Sequence, residues 1–191
     1  MQTEQLAIER ESPMKITKAE IEEYPEVRLF YHSLIDAIQG AEYHPLWQKD
    51  IYPAPQDLRS AIEKGTLYIG RCGERIAASM VVNQKYNDEY DQASWPLALQ
   101  AGEFLVIHML GVHSDFTGKG YAKQLVQYAI DLARKTGKKA VRLDVIKGNV
   151  PAIRLYESFG FAYAETRTLF YEDTGWMEFE LYELDLAKGS F

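Results

Sequence analysis

Apolar positions along the chain alternate between two periods, and the switches between them mark out the elements. From Gly118 to Thr136 they fall at Ala122, Leu125, Val126, Ala129, Ile130 and Ala133, the i, i+3, i+4, i+7 spacing of one helix face. Arg134-Lys135 followed by Gly137 predicts where that helix ends, because cations suit its negative pole and glycine the left-handed residue that closes it. Glu103–Val112 is instead apolar on both faces, with His108 as the exception, the pattern of a central strand covered from both sides. Ala140–Ile146 reads as the next strand, with Asp144 inside it. Asn149–Phe159 reads as a helix with Asn149 as N-cap, Pro151 in its first turn and Gly160 just beyond it. Upstream, Ala19–Gly40 predicts a helix broken near Pro25, and Ala54–Lys64 a second, short one. Thr66–Gly70 and Arg75–Val82 predict a hairpin turning at Cys72-Gly73-Glu74. Asn83–Ala101 lacks a period and is expected as a loop with a helical turn, while Phe161–Tyr171 and Gly175–Leu184 predict two closing strands. Strand–helix–strand order implies parallel neighbours joined by a right-handed crossover, hence an α/β fold.

Composition narrows the function classes. With 191 residues, 47% hydrophobic and 26% charged, and no repeat or Gly/Ser linker, the chain is expected to be one folded domain. Its single cysteine, Cys72, excludes an intrachain disulfide and any multi-cysteine zinc site, so no metal is expected. No apolar run reaches the ~18–20 residues that span a bilayer. Met1–Ser12 is polar and acidic, unlike a secretory leader, and a soluble, cytoplasmic monomer or homodimer is expected. A net charge of −7 argues against nucleic acid or an anionic membrane as partner. That average conceals a local reversal: residues 117–154 hold nine basic and two acidic side chains.

The basic stretch begins at a strand-to-helix join, Val112-His113-Ser114-Asp115-Phe116-Thr117-Gly118-Lys119-Gly120-Tyr121-Ala122. A helix start leaves backbone N–H groups unpaired, and glycines let an anion approach them, so a phosphate site is one reading and a tight turn the other. The join fits neither a nucleotide P-loop, which needs glycine five positions before Gly118 where His113 stands, nor a dinucleotide fingerprint, which needs a small residue where Lys123 stands.

Thr117-Gly118-Lys119-Gly120-Tyr121-Ala122 resembles the pyrophosphate signature Q/R-x-x-G-x-G/A of the GNAT superfamily of acyl-CoA-dependent N-acetyltransferases, with Thr117 in place of Gln/Arg. Asn149, Ala152, Leu155-Tyr156 and Gly160-Phe161 match its second cofactor motif, N-x-x-A-x-x-L-Y-x-x-x-G-F, at every fixed position. The resemblance covers about Glu103–Phe161. It implies a central mixed sheet of about six to seven strands flanked by helices on both faces, with a parallel strand pair splayed around the acyl-CoA. It also implies acetyl-CoA as acyl donor, held by Leu110, Gly111, Val112, by Thr117, Gly118, Lys119, Gly120, Tyr121, Ala122, and by Asn149, Ala152 and Tyr156. Residues 1–101 would form the acceptor side and 102–191 the cofactor core and closing strands.

Acyl transfer to an amine needs a base for the amine and an acid for the departing thiolate. Asn149 and Tyr156 are seven apart and so share one helix face. A phenol stays protonated at neutral pH, and the resemblance assigns Tyr156 as the acid. His108 has the right intrinsic pKa for the base, with a neutral core histidine hydrogen-bonded to a neighbour as its structural alternative. Strict alternation puts it on the face of Leu110 and Val112, and the string Ile107–His113 resembles family strands in which a histidine takes the amine's proton through water. Asp144 is the alternative base, or a holder of a cationic acceptor, with pairing to Arg142 or a backbone donor as its structural alternative. Trp47 and Tyr52 are candidates to line the acceptor pocket. Glu103, Glu178, Glu180 and Glu183 read mainly as strand-surface charges, His113 as a turn residue and His44 as a helix exit. The expected function is direct acetyl transfer to a primary amine; the alternative is a non-catalytic CoA-binding regulatory domain of the same fold. The acidic remainder of the chain suits a cationic acceptor.

Overall fold

A sheet with helices on both faces must be apolar on both faces, and the central strands meet that demand. The computed structural model describes residues 13–41 and 45–188; the expectations for Met1–Ser12 and His44 lie outside them. The strands are β1 (Lys15–Lys18), β2 (Leu67–Cys72), β3 (Arg75–Asn83), β4 (Phe104–Val112), β5 (Ala140–Ile146), β6 (Ala162–Tyr171) and β7 (Gly175–Asp185). They form one seven-stranded sheet in the order β1-β2-β3-β4-β5-β7-β6. The helices are α1 (Tyr24–Ile38), α2 (Pro55–Glu63), α3 (Tyr121–Lys135) and α4 (Val150–Glu157). The predicted break near Pro25 is a 3-10 turn at Ile21–Glu23. β1 was not anticipated: its four residues, KITK, are too few and too polar for alternation to register.

The apolar stripe of α3, Leu125, Val126, Ala129, Ile130 and Ala133, packs with α4 on Leu105, Ile107, Val141, Leu143 and Val145. α1 and α2 cover the opposite face, where Val27, Phe30, Leu34, Leu58 and Ile62 meet Leu67, Ile69 and Val81. Beside them, Tyr90 and the 93–99 loop cover Phe104, Val106, Leu169 and Leu181.

Two features of β4 place the site. First, β4 and β5 run parallel but pair only at Phe104↔Ala140, Leu105↔Val141 and Val106↔Arg142. Beyond Val106 they part, and among the described residues the β5-facing edge of β4 has no strand partner. Second, Ser79 pairs with Gly111 but Val81 with His108, so Met109 and Leu110 together oppose Met80. This β-bulge puts Met109 at φ +53°, and the Tyr31 hydroxyl donates to its carbonyl at 2.9 Å. An extra residue inverts the alternation after it. His108 therefore shares a face with its partner Val81, on the α1/α2 side, whereas Leu110 and Val112 pack on the α3 side. The same-face expectation for these residues is corrected accordingly. At Gly111 α1 crosses so closely that a Cβ would stand 2.3 Å from Leu34 Cδ2.

Glu183 is also corrected, because it is buried and not a surface charge. Its Oε2 lies 2.7 Å from Arg142 Nε, its Oε1 accepts the Leu97 N–H at 2.8 Å, and Arg142 donates to the Leu97 carbonyl at 3.0 Å. The guanidinium sits 4.2 Å from the Trp95 ring centre and 4.1 Å from that of Phe104. The reason is topological: β7 inserts between β5 and β6, and Glu183 is paired on both sides, with Arg142 and with Ala162. Glu103 and Glu178 do remain near the surface, paired with Lys139 and Lys147.

Candidate active site

Where β4 and β5 part, a cavity of about 810 Å³, mouth included, passes through the plane of the sheet. Asn149, Ala152 and Tyr156 line it from the α4 side, and Trp47 and Tyr52 from the α1 side, with His108, Leu110 and Asp144 at the gap itself. Eight of the sixteen site residues expected from sequence thus line one space.

On the α4 side Asn149 serves as N-cap, its Oδ1 accepting the Ala152 N–H at 3.4 Å, and this fixes how the helix enters the gap. About two turns on, the Tyr156 ring packs edge-on against Phe161 at 5.6 Å. The residue is only 7% exposed, yet among the described residues its hydroxyl has no hydrogen-bond partner, and it opens into the cavity. Burial, and secondarily the charge of Asp144, raise its pKa above the ordinary phenol value. The phenol therefore keeps its proton at neutral pH.

On the other side His108 Nε2 lies 3.0 Å from the Lys85 carbonyl. A carbonyl can only accept, so Nε2 carries the hydrogen and Nδ1 keeps the lone pair. Burial pushes the imidazole pKa down, with Asp144 opposing, which leaves the ring neutral near pH 7. Asp144 Oδ2 accepts from two hydroxyls, Tyr90 at 2.6 Å and Tyr171 at 2.9 Å, while Oδ1 accepts none among the described residues. Burial first, and the neighbouring charge of Asp144 second, raise the pKa of both phenols, so they remain donors. Arg142, the partner considered from sequence, is taken by Glu183.

Tyr90, Tyr171 and Asp173 are site residues that sequence reasoning missed. Tyr90 sits in a stretch without period and Tyr171 at a strand end; only the fold brings both to Asp144. Asp173, in the β6–β7 turn, lines the same cavity, and burial raises its carboxyl pKa. Trp47 and Tyr52 contact edge-on at 6.0 Å, and Tyr52 lies 6.1 Å from Tyr171. Their loop is tied down by Asp50, 2.7 Å from Arg28 and 2.9 Å from His32; these donors hold its carboxyl at about 2. The loop is also tied by Gln48, donating to the Asp173 carbonyl at 2.9 Å.

Leu110, Gly111 and Val112 lead along the free edge of β4 to the glycine turn. Gly118 and Gly120 adopt φ +76° and +78°, and a Cβ on either would meet nothing within 4 Å: the turn opens outward. Gly120 is the N-cap of α3, whose first-turn N–H groups point out of the helix end. Thr117 donates its hydroxyl back to the Ser114 carbonyl at 2.9 Å, and the Lys119 ammonium stands 5.3 Å from the Phe116 ring centre. The Tyr121 side chain is buried, its hydroxyl 3.1 Å from Cys72 Sγ, so Tyr121 can serve an anion only through its backbone. An open glycine turn, a cationic segment and an unpaired strand edge leading to the cavity fit a ligand with a phosphate end and an extended amide arm. His113 caps the short helical turn Ser114–Phe116. Among the described residues no cluster of His, Cys, Asp and Glu could hold a metal, and no helix is long and apolar enough to cross a membrane.

The acetyltransferase (GNAT) family profile matches residues 32–161. Mycothiol acetyltransferase of Corynebacterium glutamicum is 34% identical over 68 residues, 36% of this chain but 23% of that protein. The [ribosomal protein bS18]-alanine N-acetyltransferase of Salmonella typhimurium is 28% identical over 104 residues, 54% of this chain and 67% of that one. Thus the chain spans about a quarter of the length of the first relative and two thirds of the second. In fold, yncA of Salmonella typhimurium, solved with acetyl-CoA, superimposes with a TM-score of 0.65 at 17% identity, over 90% of both chains (94% of this one, 98% of that one).

Proposed function

Because the chain belongs to the acetyltransferase (GNAT) family, we propose that it transfers an acetyl group from acetyl-CoA to a primary amine, with Tyr156 as general acid and His108 as general base. Acetyl-CoA supplies an activated thioester carbonyl. The backbone of Gly118–Ala122 and the cations of residues 117–154 would hold its phosphates. The β4 edge at Leu110, Gly111 and Val112 would pair with its arm, and Asn149 and Ala152 would flank its reactive end. The 1–191 chain acts as a single unit, residues 1–101 shaping the acceptor side.

His108 Nδ1 takes the proton that the amine must lose, and the neutral ring that burial enforces is the competent form. Tyr156 gives its hydroxyl proton to the departing sulfur. The bulge in β4 turns His108 toward the acceptor side while Leu110 stays on the cofactor side, so base and acid approach one gap from opposite faces. Asp144, already engaged by two phenols, holds the incoming ammonium and does not serve as the base.

The observation that carries this reading is the cavity crossing the sheet, with an unpartnered Tyr156 hydroxyl on one side and His108 and Asp144 on the other. The test is release of CoA thiol with a panel of amines. Amine-dependent turnover is expected; calorimetric binding of acetyl-CoA with no turnover on any amine would identify a non-catalytic CoA-binding domain instead.

A further inference from the structure

We propose that the acceptor is a small diamine, bound as a dication with its reacting nitrogen at Asp144 Oδ1 and its second charge at Asp173. This rests on the acetyl-transfer reading and names the substrate class for the same cavity.

Asp144 and Asp173 both line the cavity, and among the described residues no Lys or Arg does. Neither carboxylate has an ion-pair partner among the described residues. A carboxylate withdrawn from water needs a counter-charge, and Asp173 shows the cost, its pKa raised by burial. At Asp144 the two phenols both go to Oδ2, leaving Oδ1 for a donor from the cavity. Tyr52 lines the same cavity as both carboxylates. The Trp47 and Tyr171 rings lie 6.0 and 6.1 Å from it, and aromatic walls of this kind favour ammonium groups. An independent sign that the cavity is built for a ligand is Tyr156, 7% exposed, which lines it and whose hydroxyl has no hydrogen-bond partner among the described residues.

An acceptor with a carboxylate in place of the second amine would meet Asp173 as a like charge. A monoamine would leave Asp173 uncompensated. In the diamine, the reacting ammonium gives one proton to His108 Nδ1, the free amine forms the C–N bond as the thioester C–S bond breaks, and the second proton that this nitrogen then sheds restores the Tyr156 hydroxyl. The sulfur leaves with the electron pair and takes the Tyr156 proton, so the products are the monoacetylated diamine and CoA thiol.

The test compares putrescine, butylamine and γ-aminobutyrate by kcat/KM in the thiol-release assay, with wild type and Asp173→Asn. It adds calorimetry of putrescine and of acetyl-CoA with the free protein. Asp173 is half-buried in the turn between β6 and β7, outside both strands, so the variant is expected to fold; circular dichroism checks this. The expected result is putrescine above butylamine by about tenfold or more, the scale of one charge-assisted contact, with γ-aminobutyrate poorest. Asp173→Asn should bring the putrescine-to-butylamine ratio toward one and weaken calorimetric putrescine binding by a similar factor. A wild-type ratio near one, a ratio unmoved by Asp173→Asn, or a preference for γ-aminobutyrate overturns the inference while leaving acetyl transfer intact. Failure to bind acetyl-CoA overturns both.

Discussion

Replacing Tyr156 with phenylalanine isolates one proton. The ring that packs edge-on against Phe161 at 5.6 Å is kept, and the hydroxyl that is lost has no hydrogen-bond partner among the described residues. Nothing is left unpaired, so stability should change by less than ~1 kcal/mol, the scale of a single net hydrogen bond. The catalytic cost is larger. A positioned general acid contributes about 10²–10⁴-fold. A thiol is a modest leaving group with an ordinary pKa of about 8.5, which puts the expected loss at the low end, about 10²-fold in kcat, or ~2.7 kcal/mol of barrier. Because burial raises the Tyr156 pKa, the wild-type acid stays protonated through pH 10, and no alkaline loss from this group is expected below that. The assay is thiol release at saturating amine and acetyl-CoA, beside urea denaturation and calorimetric acetyl-CoA binding. A kcat within threefold of wild type would refute the acid assignment. A loss of kcat matched by equal losses of folding stability and acetyl-CoA affinity would show a packing role instead.

His108→Ala should lower kcat/KM by about 10²-fold and abolish the acid limb of the pH–rate profile. The working form is neutral and burial sets its pKa below 6.5, so wild-type activity should rise with pH through a midpoint below 6.5 and then level off. An acid limb that survives the substitution would move the base to Asp144. Arg142→Met strands the buried Glu183 carboxylate and should cost ~3–5 kcal/mol in urea denaturation. Arg142→Met with Glu183→Leu should recover part of that; a single variant within ~1 kcal/mol of wild type would contradict the burial argument.

Local signals in the chain already carried much of the fold. The stripe of α3 is readable because a helix covering a sheet must repeat its apolar residues every turn, and β4 and β5 because strands covered on both faces cannot alternate. Asn149, Pro151 and Gly160 mark the limits of α4, through caps that depend only on nearby backbone. β1 escaped because an edge strand of four residues, KITK, owes its existence to pairing with β2 and not to its own pattern.

Within the site, residue types were legible and their faces were not. His108, Asp144 and Tyr156 stand out in sequence because polar groups in apolar or motif-bearing segments need a reason to be there. That His108 looks toward α1 while Leu110 looks toward α3 follows from one extra residue in β4, held by Tyr31 from 78 positions away. Periodicity cannot signal such a bulge, since it is defined by the register of two strands. The same holds for the phenols on Asp144, which come from positions 54 before it and 27 after it, and for Glu183, which is interior only because β7 enters the sheet between β5 and β6. The sequence by itself determined the helices and every strand but β1, which stretch is cationic and which side chains have chemistry to offer, because those depend on neighbours within a turn or two. Tertiary structure alone decided which of them face one another across the gap between β4 and β5, because that depends on strand order, register and the approach of distant loops.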